Sequence, residues 1–261
     1  MMLQGHFIDT LLNPIYRDDS YIAYTVWSYF RGITAPTFFT ISGLVVLYLL
    51  LKANQKGDDS VRVRKGISRG VMLIGIGYLL RIPFFSWFKG QFDTYFMVID
   101  VLQCIGLSLL LLIGLYFLVR KNSEVLSVVL FMIGCIIFVC EPLYRDLALP
   151  NIPIFFSNYL SKANGSIFTI IPWFGYVAFG GFIATIFFRN SQSEHFKKIT
   201  ITSFFILGFG LLWFSTYTLH KLYDITNIEL FENSANYNYL FLRLGNVLLY
   251  FAFFYTLERF M

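Results

Sequence analysis

Val98-Ile99-Asp100-Val101-Leu102-Gln103-Cys104-Ile105-Gly106-Leu107-Ser108-Leu109-Leu110-Leu111-Leu112-Ile113-Gly114-Leu115-Tyr116-Phe117-Leu118-Val119 decides the fold. About 20 apolar residues cross the hydrocarbon core of a bilayer, and the only ionisable carboxylate here, Asp100, stands at the opening. A helix on a soluble domain keeps one polar face, whereas leucine and isoleucine here run around the whole helix. Lipid or protein must therefore surround it. Comparable stretches recur at 33–52, 69–88, 124–140, 167–188, 199–218 and 238–257, with a partial helix before Leu12. The expected fold is all-α, a polytopic transmembrane helical bundle of about seven full spans plus that partial first helix. Composition agrees: 13% of residues are charged and 57% hydrophobic, against about 25% charged in an ordinary soluble domain. Residues 1–261 read as a single integral-membrane domain whose first partner is the lipid bilayer, not nucleic acid.

Charge sets the orientation, because short cytoplasmic loops of membrane proteins retain Lys and Arg. If the first helix runs outward, alternate loops carry Lys52, Lys56, Arg62, Arg64, Lys65, Arg69, Arg120, Lys121, Arg189, Lys197, Lys198 and Arg259 against five acids. The opposite side holds eight Lys/Arg against ten acids. The first set is placed in the cytoplasm and the N-terminal segment on the extracytoplasmic side, in an inner membrane of bacterial type. The densest cluster, Lys52 to Arg69, has two readings: a topogenic anchor on anionic lipid, or a dock for a phosphorylated cytosolic donor such as coenzyme A, whose phosphates need Arg and Lys.

Both ends look cut. Met1 to Leu12 is too short to span and lacks a basic stretch, and the chain stops at Arg259-Phe260-Met261 straight after a span. The expectation is a chain shortened at both ends, without the start of its first helix and without closing helices. Cys104, Cys135 and Cys140 all lie in apolar spans and read as small hydrophobes, with neither a disulfide framework nor a metal site. The aromatic, acidic stretch from Asn13 to Phe30 reads as an outer loop and interfacial belt. The segment from Glu141 to Ser166 reads as a short re-entrant or interfacial piece, and no internal repeat of the transporter kind is visible.

Five ionisable residues lie in or beside the spans: His6, Arg31, Arg81, Asp100 and Arg243. An ionisable group at membrane depth is a functional candidate, because it is costly unless paired or used. Arg81 is twelve residues past Arg69, about 18 Å of rise, which puts it in the outer half of its helix. Asp100 opens the next span from outside, and Arg243 enters the last. Gln103, Asn246 and His220 add polar groups at similar heights. Singly, each has a structural reading: an Arg81–Asp100 ion pair, arginines that snorkel to headgroups, a helix-end histidine. Their common depth favours a polar cavity open to the outer face.

Four blocks carry a resemblance. Met2-Leu3-Gln4-Gly5-His6-Phe7 resembles the close of the first helix in membrane acyltransferases of the heparan-α-glucosaminide N-acetyltransferase type, and the wider acyltransferase type 3 superfamily is similar there. Ile33-Thr34-Ala35-Pro36-Thr37-Phe38-Phe39-Thr40-Ile41-Ser42-Gly43 resembles their second-helix pattern. Asp100-Val101-Leu102-Gln103-Cys104-Ile105-Gly106-Leu107-Ser108 and Ile171-Pro172-Trp173-Phe174-Gly175-Tyr176, the latter followed by Gly180-Gly181, are similar to two later helices. The Arg-Gly pair before the family's histidine and its closing helix pattern are missing from this chain. The resemblance implies transfer of an acetyl group from cytosolic acetyl-CoA to a sugar on the far side. His6 is then the general base or a transient acyl carrier, with Asp9 three residues on to orient it. Arg31, Arg81, Asp100, Gln103, Arg243 and Asn246 serve the oxyanion or the substrate. Lys52, Lys56, Arg62, Arg64, Lys65 and Arg69 dock the acyl-CoA.

Two rivals stay open: a transporter or flippase using the same charges as a path, and a non-catalytic membrane partner presenting its outer loops. The acceptor sugar, the acyl chain and the oligomeric state are not legible in the chain.

Overall fold

The computed structural model describes every residue except 1, 19, 92–93, 120–121, 191–192, 194 and 259–261, and the side chains of residues 2, 3, 6 and 9 also lie outside the described set. About 82% of the chain is helical, with no strand among the described residues. The helices are α1 (Met2–Leu11), α2 (Ile22–Gln55), α3 (Asp59–Arg81), α4 (Phe84–Phe88), α5 (Val101–Leu118) and α6 (Ser123–Val139). They continue as α7 (Glu141–Tyr144), α8 (Ile154–Leu160), α9 (Ile170–Asn190), α10 (Phe196–Thr226), α11 (Glu229–Asn236) and α12 (Tyr239–Leu257). Five stretches, Ile22–Gln55, Thr94–Leu118, Ile170–Asn190, Phe196–Thr226 and Tyr239–Leu257, are long and apolar enough to cross a membrane.

Local chemistry sets the helix limits. In lipid every backbone N–H and C=O must be satisfied internally, and two asparagines serve helix ends here. Asn122 accepts from the amides of Glu124 and Val125 at 2.9 and 3.2 Å to start α6. Asn227 closes α10 in the left-handed conformation, φ 53°, which asparagine tolerates better than most residues. Pro83, two residues past the end of α3, cannot continue that helix. Pro36 sits inside α2, buried, and the helix runs through it.

Three boundaries differ most from the sequence reading, one of them the span expected at 199–218, which extends over Phe196–Thr226. The expected outer loop from Asn13 to Phe30 is helical from Ile22 onward, because its aromatics pack along a helix face: Tyr24 on Trp27 at 5.6 Å and Phe30 on Tyr250 at 6.4 Å. The span expected at 69–88 is displaced to Asp59–Arg81. The charged residues before Arg69 form the first turns of α3 instead of a loop. The segment from Glu141 to Ser166 carries the short helices α7 and α8.

Three helix pairs meet through glycine. A Cβ on Gly43 of α2 would fall on the carbonyl of Val177 in α9, and one on Gly180 would fall on the carbonyl of Thr40. Gly70 and Gly106 bring α3 against α5, where a Cβ on Gly106 would lie 2.5 Å from the Gly70 oxygen. Gly208 and Gly245 do the same for α10 and α12. Small residues permit such approach where lipid supplies no hydrophobic drive between helices. The core around α9 holds Phe39, Leu47, Tyr116, Phe138 and Tyr176, all excluded from solvent.

Contacts between helices mark the two ends of the bundle. At one end α3 closes on α5 through the Arg81–Asp100 pair, and α9 on α12 through Tyr176 and the Leu240 carbonyl. At the other, the Tyr116 hydroxyl donates to Asp59 at 2.9 Å, and Thr185 donates to Ser127 at 2.8 Å. The first end also bears α1, and the second bears the Lys52–Arg69 segment.

Candidate active site

The polar residues of the α1 end form two clusters. In the first, Arg81 at the close of α3 donates from Nε to Asp100 at 2.5 Å, and its guanidinium lies 4.9 Å from the Tyr95 ring centre. Asp100 precedes α5 and its amide donates to Gln103 Oε1 at 3.2 Å, so the glutamine folds back over the helix start. Gln103 is fully buried against Gly77, where any Cβ would strike the glutamine amide. The Tyr78 hydroxyl donates to that of Tyr159 at 3.2 Å. The Ile99 amide donates to Ser166 at 3.1 Å, tying this cluster to the chain before α9.

The second cluster lies between α2 and α12. The guanidinium of Arg243 stands 5.3 Å from the Tyr29 ring and 5.1 Å from the Tyr239 ring, with Nη1 donating to the Tyr29 carbonyl at 3.1 Å. Gly32 leaves the room: a Cβ there would sit 2.6 Å from Nη2 of Arg243. The Tyr29 hydroxyl donates to Oδ1 of the buried Asn246 at 2.6 Å. Arg31 lies over Trp27 at 5.1 Å, and Gly5 of α1 faces Arg31 Nε. His6 follows Gly5 on α1. The side chains of His6 and Asp9 lie outside the described residues.

The expected layer is thus divided. Arg81, Asp100 and Gln103 come together, Arg243 and Asn246 meet at Tyr29 while Arg31 lies apart on Trp27 beside α1, and an aromatic block links the two groups. Phe168 packs on Phe39 and Trp173, at 6.1 and 4.9 Å, and Trp173 on Tyr176 at 5.8 Å. The Tyr176 hydroxyl then donates to the Leu240 carbonyl at 3.1 Å. His220 lies on α10 and joins neither cluster. Sequence reasoning missed Tyr29, Tyr78, Tyr95, Tyr159 and Tyr239, having assigned such rings to the interfacial belt. The available signal was helical spacing: Tyr78 precedes Arg81 by three residues and Tyr239 precedes Arg243 by four, each on the arginine's own face.

At the opposite end Lys52, Lys56, Arg62 and Lys65 line a cleft of about 460 Å³ with Asp58 and Val61. A narrower recess of about 50 Å³ adjoins it, shared by Arg62, Lys65 and Arg69 and floored by Leu109 and Ile113 of α5. Arg64 does not belong there. It lines a separate cleft of about 470 Å³ with Ser60, Ser68 and Phe117. Helix geometry is the reason: at about 100° per residue, 62, 65 and 69 share a face while 64 points well away from it. No group of three or more metal-type ligands occurs among the described residues.

Residues 1–224 match the family model described as heparan-alpha-glucosaminide N-acetyltransferase, catalytic. The chain belongs to that family. No curated protein and no solved structure matches it. Members of the heparan-α-glucosaminide N-acetyltransferase family are membrane acyltransferases, and the blocks read from the sequence all lie inside the matched stretch, on α1, α2, the start of α5 and the start of α9. Arg243 and Asn246 lie beyond it. The cluster on α2 and α12 therefore joins family-matched residues to a helix outside the match.

Proposed function

We propose that this chain is an integral-membrane acyltransferase that moves an acetyl group from cytosolic acetyl-CoA to a sugar or glycan acceptor on the extracytoplasmic side. The observation that carries the reading is the separation of chemistries along one helix pair. A cationic cleft with Arg62, Lys65 and Arg69 stands at one end of α3 and α5, and a polar cluster with Arg81, Asp100 and Gln103 at the other. A phosphorylated donor needs the first, and an acyl group passed to an extracytoplasmic hydroxyl or amine needs the second. His6 is the base or acyl carrier and Asp9 its orienting partner, on the helix that faces Arg31. In this reading seven helices cross the membrane: the five apolar ones together with α3 and α6. The Lys52–Arg69 end faces the cytoplasm, as the excess of Lys and Arg there requires.

Membrane vesicles carrying the full chain, given labelled acetyl-CoA and a glycan panel, test the proposal. Transfer of label that is lost in His6→Ala is the expected result; a panel with no labelled acceptor and no loss of acetyl-CoA overturns it. The cleft gives a finer check. A charge-assisted hydrogen bond contributes about 1.5–3 kcal/mol, roughly tenfold or more in affinity. Arg62→Gln and Lys65→Gln should each raise the acetyl-CoA Kd by about that factor, while Arg64→Gln, on another face, leaves it nearly unchanged. Equal effects at all three positions would mean general surface charge and no defined cleft. Ion-coupled movement of an unmodified solute would favour the transporter reading instead.

A further inference from the structure

We propose that Gln103 and Arg81 bind the carbonyl oxygen of the donor thioester and hold it as negative charge grows there during transfer, an assignment that rests on the acyl-CoA reading above. Two buried donors in the first cluster have no partner among the described residues: Nε2 of Gln103 and Nη1 of Arg81. A buried donor without an acceptor is costly, so two such groups in one cluster call for an occupant. Both are joined to Asp100, Arg81 through Nε and Gln103 through Oε1, which leaves Nε2 and Nη1 as the surplus. Their complement is a hydrogen-bond acceptor. The first turn of α5 adds the positive end of a helix dipole, which favours an oxygen acquiring charge.

Arg31 and Arg243 suit this work less well, since each guanidinium already lies over an aromatic ring beside α1 and α12. Distance along the helices points the same way. Arg69 lines the recess next to the cationic cleft, and Arg81 lies twelve residues further along α3, about 18 Å of rise. That is the reach of an extended phosphopantetheine arm from its pyrophosphate to its sulfur. With phosphates among Arg62, Lys65 and Arg69, the thioester arrives at the level of Gln103 and Arg81. The Gly70–Gly106 contact fixes α3 against α5, so the two stations keep a constant separation.

The step balances with the groups named. The acceptor oxygen or nitrogen attacks the carbonyl carbon, and the carbonyl π pair moves onto the oxygen held by Nε2–H and Nη1–H. That pair then re-forms the carbonyl as the C–S bond breaks, CoA leaves as a thiolate, and the proton that the base takes from the acceptor ends on that sulfur. Removal of one such donor lowers kcat by about 10²–10³-fold in other enzymes.

The test uses the full chain in nanodiscs with acetyl-CoA carrying ¹³C at the carbonyl. Gln103→Glu keeps Oε1 for the Asp100 amide and replaces the donor with a second acceptor, so the helix start survives; Arg81→Lys is its companion. Bound to the unmodified protein, the thioester stretch should move to lower wavenumber than in solution. In each variant it should return toward the solution value, with kcat down by about 10²-fold and the Kd of CoA itself changed less than about twofold. A bound thioester with an unshifted stretch in the unmodified protein overturns the assignment whether or not the variants fold, as does a Gln103→Glu protein with full kcat. The two proposals fail differently. Acetyl-CoA bound and turned over with an unshifted carbonyl removes only this assignment, whereas no acetyl-CoA binding removes the acyl-CoA reading and this assignment with it.

Discussion

Asp100 takes the Nε of Arg81 on its carboxylate and the Oε1 of Gln103 on its amide, and it is the last residue before α5. Arg81 is mostly buried and Asp100 about a third exposed, with side-chain exposures of 14% and 37%. Removing one member of such a pair strands the other, a loss of about 3–5 kcal/mol when both are fully buried. Solvent at Asp100 screens part of that, so Asp100→Asn should lower stability by roughly 2 kcal/mol. Asp100→Asn combined with Arg81→Met should lower it less, because no unpaired charge remains. Melting in detergent of both single variants and the double decides it; strictly additive losses would mean that the two side chains do not interact in solution. The pairing itself was one of the readings the sequence offered, since an arginine in the outer half of one span and a carboxylate opening the next lie at similar depth. The two unmet donors were not legible. They arise because Gly77 lets Gln103 lie flat against α3, a fact of packing that no local pattern encodes.

At the scale of elements, the bundle is built from pairs whose backbones nearly touch. On the α2–α9 seam a Cβ at Gly180 would meet the Thr40 carbonyl and the Leu44 amide, both backbone atoms that cannot swing aside. Overpacking typically costs about 1–3 kcal/mol, and rigid neighbours push it to the upper end. Gly180→Ala should therefore lower stability by about 3 kcal/mol or prevent folding. Gly114→Ala in α5 meets nothing within 4 Å, so it should gain up to about 1 kcal/mol from helix propensity alone. Equal melting temperatures for the two would show that the backbones on this seam do not touch. Hydropathy located the five helices apolar enough to cross but not the starts of α2 and α3 at Ile22 and Asp59. Apolar character marks where a helix lies in lipid, whereas its ends follow from caps, turns and ring packing outside the lipid. The separation of Arg64 from Arg62 and Lys65 was latent in the sequence, and needed only the knowledge that this charged segment is helical.

At the scale of the whole molecule, the proposed bundle crosses the membrane with α3 and α6 as well as with the five apolar helices. α3 is less apolar than the five clear spans because Arg62, Arg64, Lys65 and Arg69 fill its early turns, and α6 is only 17 residues long. Each is nevertheless bound along its length to a helix apolar enough to cross. α3 meets α5 at both ends, through Asp59 with Tyr116 and through Arg81 with Asp100. α6 meets α9 through Ser127 with Thr185 at one end and through Phe138 with Tyr176, 4.8 Å between rings, at the other. These ties support the proposed crossing of α3 and α6, and its 17 residues give α6 about 25 Å of rise, close to the hydrocarbon thickness. Single cysteines in a background with Cys104, Cys135 and Cys140 replaced by alanine should alternate in their reaction with a membrane-impermeant maleimide. Lys56→Cys and Glu124→Cys should label only in inside-out vesicles, and Lys89→Cys and Asn164→Cys only in right-side-out ones. Labelling of positions 56 and 89 from one side would mean that α3 lies along the surface, which would break the 18 Å ruler between Arg69 and Arg81 and the assignment of Gln103 with it. Full alternation with every side reversed would keep the seven crossings but put the cationic cleft outside, away from any cytosolic acyl-CoA.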